Sequence, residues 1–284
     1  MLSDAQSAAQ SAPIHLGPIS ERGKELYFKS ARFLANLFTL ENRIEFKGLE
    51  HKFKGRKIIV GPHKGKQKDI SATIIAHADE QIYFLTNEKI FSPDGFDFLI
   101  KKNLRKWFHF LGPGATENMI IALKPVRYAL VKFITSNIRE SGMIPVNVDG
   151  KAPTSNGEGN GSDSELKYQD LAESYLLHDR PLVFLQHNRK HTQSQYHPEL
   201  EEFKMGAFKL AYNMLTKYGV DVPVVPMSIK GTRGLFAPLR KIIVNFGEPM
   251  YISDPKYFQG SSTRSMWNFK EGLEKRVAEL YRDS

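Results

Sequence analysis

The sequence predicts an α/β fold in which one mixed central sheet is flanked by helices. First, short runs of apolar, β-branched residues alternate along the chain with segments of helical periodicity. Second, 41% hydrophobic and 25% charged residues are ordinary proportions for a globular protein of 284 residues. Third, the chain has no internal repeat, and the same alternation continues on both sides of residues 149–164, which could otherwise mark a domain boundary. Residues 20–284 are therefore predicted to form a single domain.

Two stretches fall outside the alternation. Residues 1–19 are rich in Ser, Ala, Gln and Pro and lack periodicity, so they are predicted to form a disordered tail. Residues 149–164 contain four Gly together with Pro, Ser, Thr and Asn, which is typical of a flexible loop.

The elements are predicted in the following order. Ser20 is the predicted N-cap of the first helix, and Glu21 lies in its first turn. Further helices are predicted near 70–79, 96–110, 116–140, 166–177, 203–218 and 266–281. The segment 116–140 is either one long helix or two helices broken at Pro125. Strands are predicted near 43–49, 57–60, 81–86, 142–148, 181–185, 222–229 and 241–246.

The charge of the chain favours anionic partners. Forty Lys and Arg stand against 31 Asp and Glu, which gives a net charge of +9. Phosphates, nucleic acid and an acidic membrane surface all suit this balance. No run of apolar residues approaches the roughly 18 of a membrane span, and the N-terminus is not of the secretory type. We therefore expect a cytoplasmic protein that is either soluble or peripheral on a membrane.

Two segments combine aromatic and basic residues. The first helix is apolar on one face and carries Lys24, Lys29 and Arg32, so it suits either the protein core or a membrane surface. Residues 96–110 interleave Phe, Trp and Leu with Lys and Arg, which is typical of a half-buried amphipathic helix or of a contact with lipid or nucleic acid.

The chemically most informative stretch follows the predicted strand at 57–60. His63 lies on the loop that leaves this strand, and Asp69 lies where an N-cap or first-turn carboxylate is expected. This placement can bring the imidazole and the carboxylate within hydrogen-bonding reach. The carboxylate would then fix the imidazole tautomer and support the ring as a general base.

The order of motifs resembles the glycerolipid acyltransferase family from about residue 26 to the end. His63 and Asp69 resemble the family's His–four residues–Asp motif, although five residues separate them here and Pro62 stands where the family usually has Asn. Residues 184–189 occupy the place of Phe-Pro-Glu-Gly-Thr-Arg, with Gln186 at the Glu position. Residues 203–208, the Val-Pro-Val-Val-Pro run at 222–226 and the closing Gly-Glu-Pro at 247–249 are similar to later family motifs.

The resemblance implies a fatty acyl transfer from acyl-coenzyme A or acyl carrier protein to the hydroxyl of a lysophospholipid-type acceptor, such as lysophosphatidate. It implies His63 as the general base and Asp69 as its orienting partner, with no cofactor and no metal. A group of polar side chains is expected to bind the acceptor, with Arg189 on its phosphate; they are Lys64, Gln186, His187, Asn188, Arg189 and Lys190.

Two other interpretations remain open. The altered His–Asp spacing and Gln186 also suit a catalytically silent relative that binds lipid or an acyl carrier. A nucleic-acid-binding protein agrees with the charge and with residues 96–110, but no recognition motif for DNA or RNA is visible. His187, His191 and His197 do not have the spacing of a known metal site.

Overall fold

A computed structural model of the protein describes residues 20–41, 43–65, 67–87, 92–137, 142–146, 161–186, 192–232, 241–259 and 261–284. Within these ranges there are eight α-helices and seven strands, and two short 3-10 helices occur at Leu49–His51 and His109–Leu111. The helices are α1 (Glu21–Glu41), α2 (Gln67–Ala76), α3 (Pro93–Trp107), α4 (Pro113–Ala122), α5 (Lys124–Asn137), α6 (Gly161–Leu177), α7 (Gly206–Tyr218) and α8 (Ser262–Arg282). The strands are β1 (Ile44–Lys47), β2 (Ile58–Pro62), β3 (Tyr83–Asn87), β4 (Met143–Val146), β5 (Leu182–Gln186), β6 (Val224–Lys230) and β7 (Ile242–Phe246).

The seven strands form one mixed sheet in the order β1-β7-β6-β2-β5-β3-β4. Neighbouring strands are parallel throughout, except that β6 and β7 are antiparallel. The five strands from β6 to β4 therefore run in one direction, and β7 and β1 run in the other. The predicted α/β fold with a mixed central sheet is confirmed.

Helices cover both faces of the sheet. Along β2, Ile59 packs in the cluster under α1 and α2, whereas Ile58 and Val60 pack in the cluster under α6, α7 and α8. This alternation follows from the two-residue period of a strand, and all of β2 is buried because both of its faces are covered. Helices α3, α4 and α5 lie between β3 and β4 in the chain and pack mainly on one another.

Several predicted boundaries are confirmed and others are wrong. Ser20 caps α1, since its Oγ accepts a hydrogen bond of 2.9 Å from the N–H of Gly23. The segment 116–140 contains two helices, but the first ends before Pro125, which lies in the first turn of α5. A proline is tolerated there because a first-turn N–H has no partner within the helix.

The loop predicted at 149–164 is wrong at its C-terminal end. Residues 161–164 form the start of α6, where Ser, Asp and Glu are favoured residue types, while residues 149–160 lie outside the described ranges. The predicted tail at 1–19 also lies outside them. None of the helices in the described ranges combines the length and the apolar character that crossing a bilayer requires.

Candidate active site

The central strand β2 delivers His63 to one edge of the sheet. His63 is the first residue after β2, and its backbone N–H donates to the carbonyl of Gln186 at the end of β5, at 2.8 Å. Because β6, β2 and β5 are parallel, their carboxyl ends meet at this edge, where α/β proteins usually bind ligands. We call it the site edge of the sheet.

His63 and Asp69 lie side by side at the site edge. Nδ1 of His63 is 3.3 Å from Oδ2 of Asp69, which is the third residue of α2 and is buried. The two groups are close but not aligned, because within the described residues neither His63 Nδ1 nor Asp69 Oδ1 makes a hydrogen bond. The imidazole is 26% exposed, so a ligand can reach it, and Nε2 is the ring nitrogen not directed at the carboxylate.

The carboxylate of Asp69 is fixed by the loop that precedes its own helix. Its Oδ2 accepts a hydrogen bond of 2.6 Å from the N–H of Gly65. The five-residue spacing between His63 and Asp69 is accommodated because residues 63–65 precede α2 in a non-helical conformation. The carboxylate therefore stays beside the imidazole instead of being rotated away around the helix.

Gly65 is held against the segment that follows β6. A Cβ built on Gly65 would lie 2.2 Å from Cβ and 2.4 Å from Oγ1 of Thr232, far inside van der Waals contact. Gly65 is therefore needed for close approach of the two segments. Sequence reasoning did not identify Thr232, although it follows a strongly apolar strand in the same way that His63 does.

The predicted acceptor-binding residues have different outcomes. Gln186 is buried at the end of β5, and its Oε1 accepts a hydrogen bond of 3.2 Å from the backbone N–H of Lys204. One end of this amide is therefore occupied by the protein itself. His187, Asn188, Arg189 and Lys190 lie outside the described residues, so their part in binding the acceptor stays a prediction.

A cavity of about 450 Å³ opens at the site edge beside the His63 loop. Lys64, the remaining predicted binding residue, lines it together with Thr232, Lys230 and Lys241. Lys230 donates to the carbonyl of Ser284 at 2.8 Å, so it also holds the end of α8. Lys230 and Lys241 could have been found by the reasoning that found His63, because Lys230 ends the apolar strand β6 and Lys241 directly precedes the apolar strand β7.

The chain that follows the undescribed residues 187–191 is anchored to α8. The N–H of Phe203 donates to Oε1 of Glu274 at 2.6 Å, and Glu274 lies 3.6 Å from Nζ of Lys270. Burial raises the pKa of the Glu274 carboxyl. This buried network holds the segment that contacts Gln186 through Lys204.

Within the described ranges, no three His, Asp or Glu side chains come together in a way that could hold a metal ion. His197 has structural contacts instead. Its ring packs on Tyr281 with centroids 4.9 Å apart, and its Nδ1 accepts a hydrogen bond of 3.1 Å from the N–H of Glu199. His187 and His191 lie outside the described residues.

Comparison with known proteins finds a likeness among solved structures. The chain matches no known family, and no curated protein is similar to it in sequence. Among solved structures, it is similar to the 1-acyl-sn-glycerophosphate (LPA) acyltransferase PlsC from Thermotoga maritima, with 18% identity and a TM-score of 0.48. The alignment covers 92% of this chain and 82% of that one. At this identity, a functional assignment has to rest on the residues of the site.

Proposed function

We propose that the protein transfers a fatty acyl group from an acyl thioester to the hydroxyl of a lysophospholipid-type acceptor at a membrane surface. The observation that carries the proposal is the 3.3 Å approach of the His63 imidazole to the buried carboxylate of Asp69 at the site edge. The ordered sequence motifs that accompany this pair are the second support. Acyl-coenzyme A or acyl carrier protein is the donor co-substrate, and no cofactor takes part.

The proposed chemistry follows from the two ring nitrogens of His63. Asp69 beside Nδ1 favours the tautomer that carries its proton there, which leaves the lone pair of Nε2 for the acceptor hydroxyl. Nε2 takes the hydroxyl proton while the oxygen attacks the thioester carbonyl. The new ester C–O bond forms, the C–S bond breaks, and the thiolate recovers the proton from the imidazolium. Asp69 stabilises that imidazolium while it exists.

The acceptor is proposed to bind through its phosphate. Arg189 remains the proposed phosphate ligand, because a guanidinium group binds phosphate in a bidentate manner. Lys64 is proposed to add positive charge, which is supported by its position next to His63 in the chain and in the lining of the cavity at the site edge. The Nε2 group of Gln186 is proposed to donate to an acceptor oxygen.

The test is acyl transfer from both donors to a panel of lysophospholipids on anionic vesicles. His63→Ala is expected to lower kcat/KM about 100- to 10,000-fold, the usual contribution of a general base. Asp69→Asn is expected to lower kcat by at least tenfold with little change in KM, because Asp69 acts through the imidazole. The control is His178→Ala, which replaces an exposed histidine that follows α6. Undiminished turnover in His63→Ala would falsify the proposal.

A catalytically silent lipid- or carrier-binding protein is the second candidate. The observation that favours it is the missing hydrogen bond between His63 and Asp69 in the described structure. Catalytic hydrogen bonds are often long before substrate binds, so we rank this candidate second. It predicts vesicle or carrier binding without turnover, and equal binding by wild type and His63→Ala.

A further inference from the structure

Residues 92–137, which contain α3, α4, α5 and a short 3-10 helix, carry an unusual distribution of apolar side chains. We call this segment the helical insert. Among its described side chains, the large apolar residues that are buried are Ile120 and Val131. Six others are exposed, from 40% for Leu111 to 71% for Phe110; the remaining four are Phe98, Ile121, Val126 and Tyr128. An apolar surface of this kind usually marks a site of interaction.

The helical insert is nevertheless a well-connected unit. The buried guanidinium of Arg127 on α5 forms an ion pair with Asp97 on α3 and donates to the carbonyl of Ile120 on α4 at 2.6 Å. Arg105 and Glu117 join α3 to α4 at 2.6 Å. The exposed apolar side chains are therefore displayed on helices that are tied together, and they are not explained by incomplete packing.

The charge of the helical insert is strongly positive. It contains seven Lys and Arg against three Asp and Glu, a net charge of +4. Two of the three acids, Asp97 and Glu117, form ion pairs with arginines of the insert itself. Lys102, Lys124 and Lys132 are exposed. Exposed aromatic and aliphatic groups among cations are typical of helices that lie in the interface of an anionic bilayer.

The topology places the start of the helical insert at the site edge. The insert follows β3, which runs parallel to β5 and β2, so β3 ends at the same edge of the sheet as His63. A bilayer bound at the start of the insert would therefore lie beside the edge at which the lipid substrate has to arrive.

We propose that the helical insert binds the surface of an anionic phospholipid bilayer, with Ile121 and Val126 inserted between the headgroups. The proposal extends the proposed function by naming the surface that brings the protein to its substrate. A second copy of the chain is a poorer partner, because two inserts of charge +4 repel each other and lysine is depleted at protein interfaces. Single-stranded nucleic acid stacks on aromatic rings, which leaves Leu111, Ile121 and Val126 without a role.

The experiment is co-sedimentation of the full chain with vesicles of phosphatidylcholine alone or mixed with phosphatidylglycerol. Wild type is expected to bind the anionic vesicles, and less so near 1 M salt, where the Debye length falls to about 3 Å. Ile121→Ser and Val126→Ser are each expected to weaken partitioning about three- to tenfold through lost apolar burial. Lys124→Gln is expected to weaken it about fivefold on anionic vesicles only.

The controls use similar residues elsewhere on the surface. Leu49→Ser replaces an aliphatic side chain that is 46% exposed, and Lys209→Gln replaces an exposed lysine on α7. Both variants are expected to bind vesicles as wild type does. Thermal unfolding shows whether any variant has lost its fold.

Three results would overturn the proposal. In the first, wild type and Ile121→Ser bind vesicles equally. In the second, wild type is a dimer that Ile121→Ser dissociates without loss of vesicle binding. In the third, the protein binds single-stranded DNA more strongly than anionic vesicles. Acyl transfer to a water-soluble, short-chain acceptor is expected to be unchanged in Ile121→Ser. Vesicle binding without any acyl transfer would overturn the proposed function and leave the membrane surface standing.

Discussion

Gly65→Ala tests whether the close packing of the His63 loop on the segment after β6 sets the geometry of the site. The added Cβ would lie 2.2 Å from Cβ of Thr232, whereas ordinary contact begins at about 3.4 Å, so the two segments have to separate by about 1.2 Å. The N–H of Gly65 holds Oδ2 of Asp69, and this movement would therefore displace the carboxylate from the imidazole of His63.

The displacement is expected to lower both the unfolding free energy and kcat. Overpacking of this kind costs about 1–3 kcal/mol of unfolding free energy. A misplacement of about 1 Å in a catalytic group lowers kcat about 100-fold. The assays are urea unfolding and acyl transfer, so the structural cost is measured independently of activity.

Two further variants make this test specific. Gly114→Ala on α4 is the matched control, because its added Cβ would meet nothing within 4 Å and alanine favours the helix by up to about 1 kcal/mol. Thr232→Gly combined with Gly65→Ala removes the contacts at 2.2 and 2.4 Å but leaves the backbone oxygen of Thr232 at 2.8 Å, so partial recovery is expected. The reasoning is refuted if Gly65→Ala unfolds at the wild-type urea concentration and keeps full activity.

Two predictions concern stability. Burial lowers the pKa of His77 to about 3 from the ordinary 6.5. Between about pH 3 and pH 6.5, His77 is therefore protonated in the unfolded chain and neutral in the folded chain. The unfolding free energy is therefore expected to fall as the pH drops below about 6.5, by about 2 kcal/mol at pH 5, and to level off near pH 3. In urea unfolding, His77→Gln should lose clearly less unfolding free energy on acidification than wild type or His178→Gln. The second prediction concerns the buried ammonium of Lys57, which is 2.5 Å from Glu80. Glu80→Gln is expected to lower the unfolding free energy by about 3 kcal/mol, because it leaves that charge unpaired. Adding Lys57→Met should restore at least half of this loss. Strictly additive losses of the two substitutions in urea unfolding would contradict this reasoning.

The sequence identifies the features that depend on short stretches of chain. The buried run at 57–60 specifies β2, and residues after it specify a loop and a helix, so His63 and Asp69 fall at the end of one element and the start of the next. Periods of two and of about four residues are local properties, and they predict the position of all seven strands. They also predict the helices, but they leave open whether 116–140 holds one helix or two, and they miss the first turn of α6. The predicted roles of Arg189 and its neighbours remain predictions, because those residues lie outside the described ranges.

The tertiary structure alone decides what depends on residues far apart in the chain. No local pattern reports that Gly65 lies against Thr232 or that Gln186 accepts a hydrogen bond from Lys204, because each contact joins segments brought together by the sheet. Contacts between distant segments also decide which side chains of the helical insert are exposed. Residues 96–110 have a helical period that suits a core or a lipid surface equally well, and only the packing of α3, α4 and α5 on one another leaves Phe98 and Phe110 in solvent. Sequence fixes which face of a helix is apolar, whereas the partners available to that face are set by the fold.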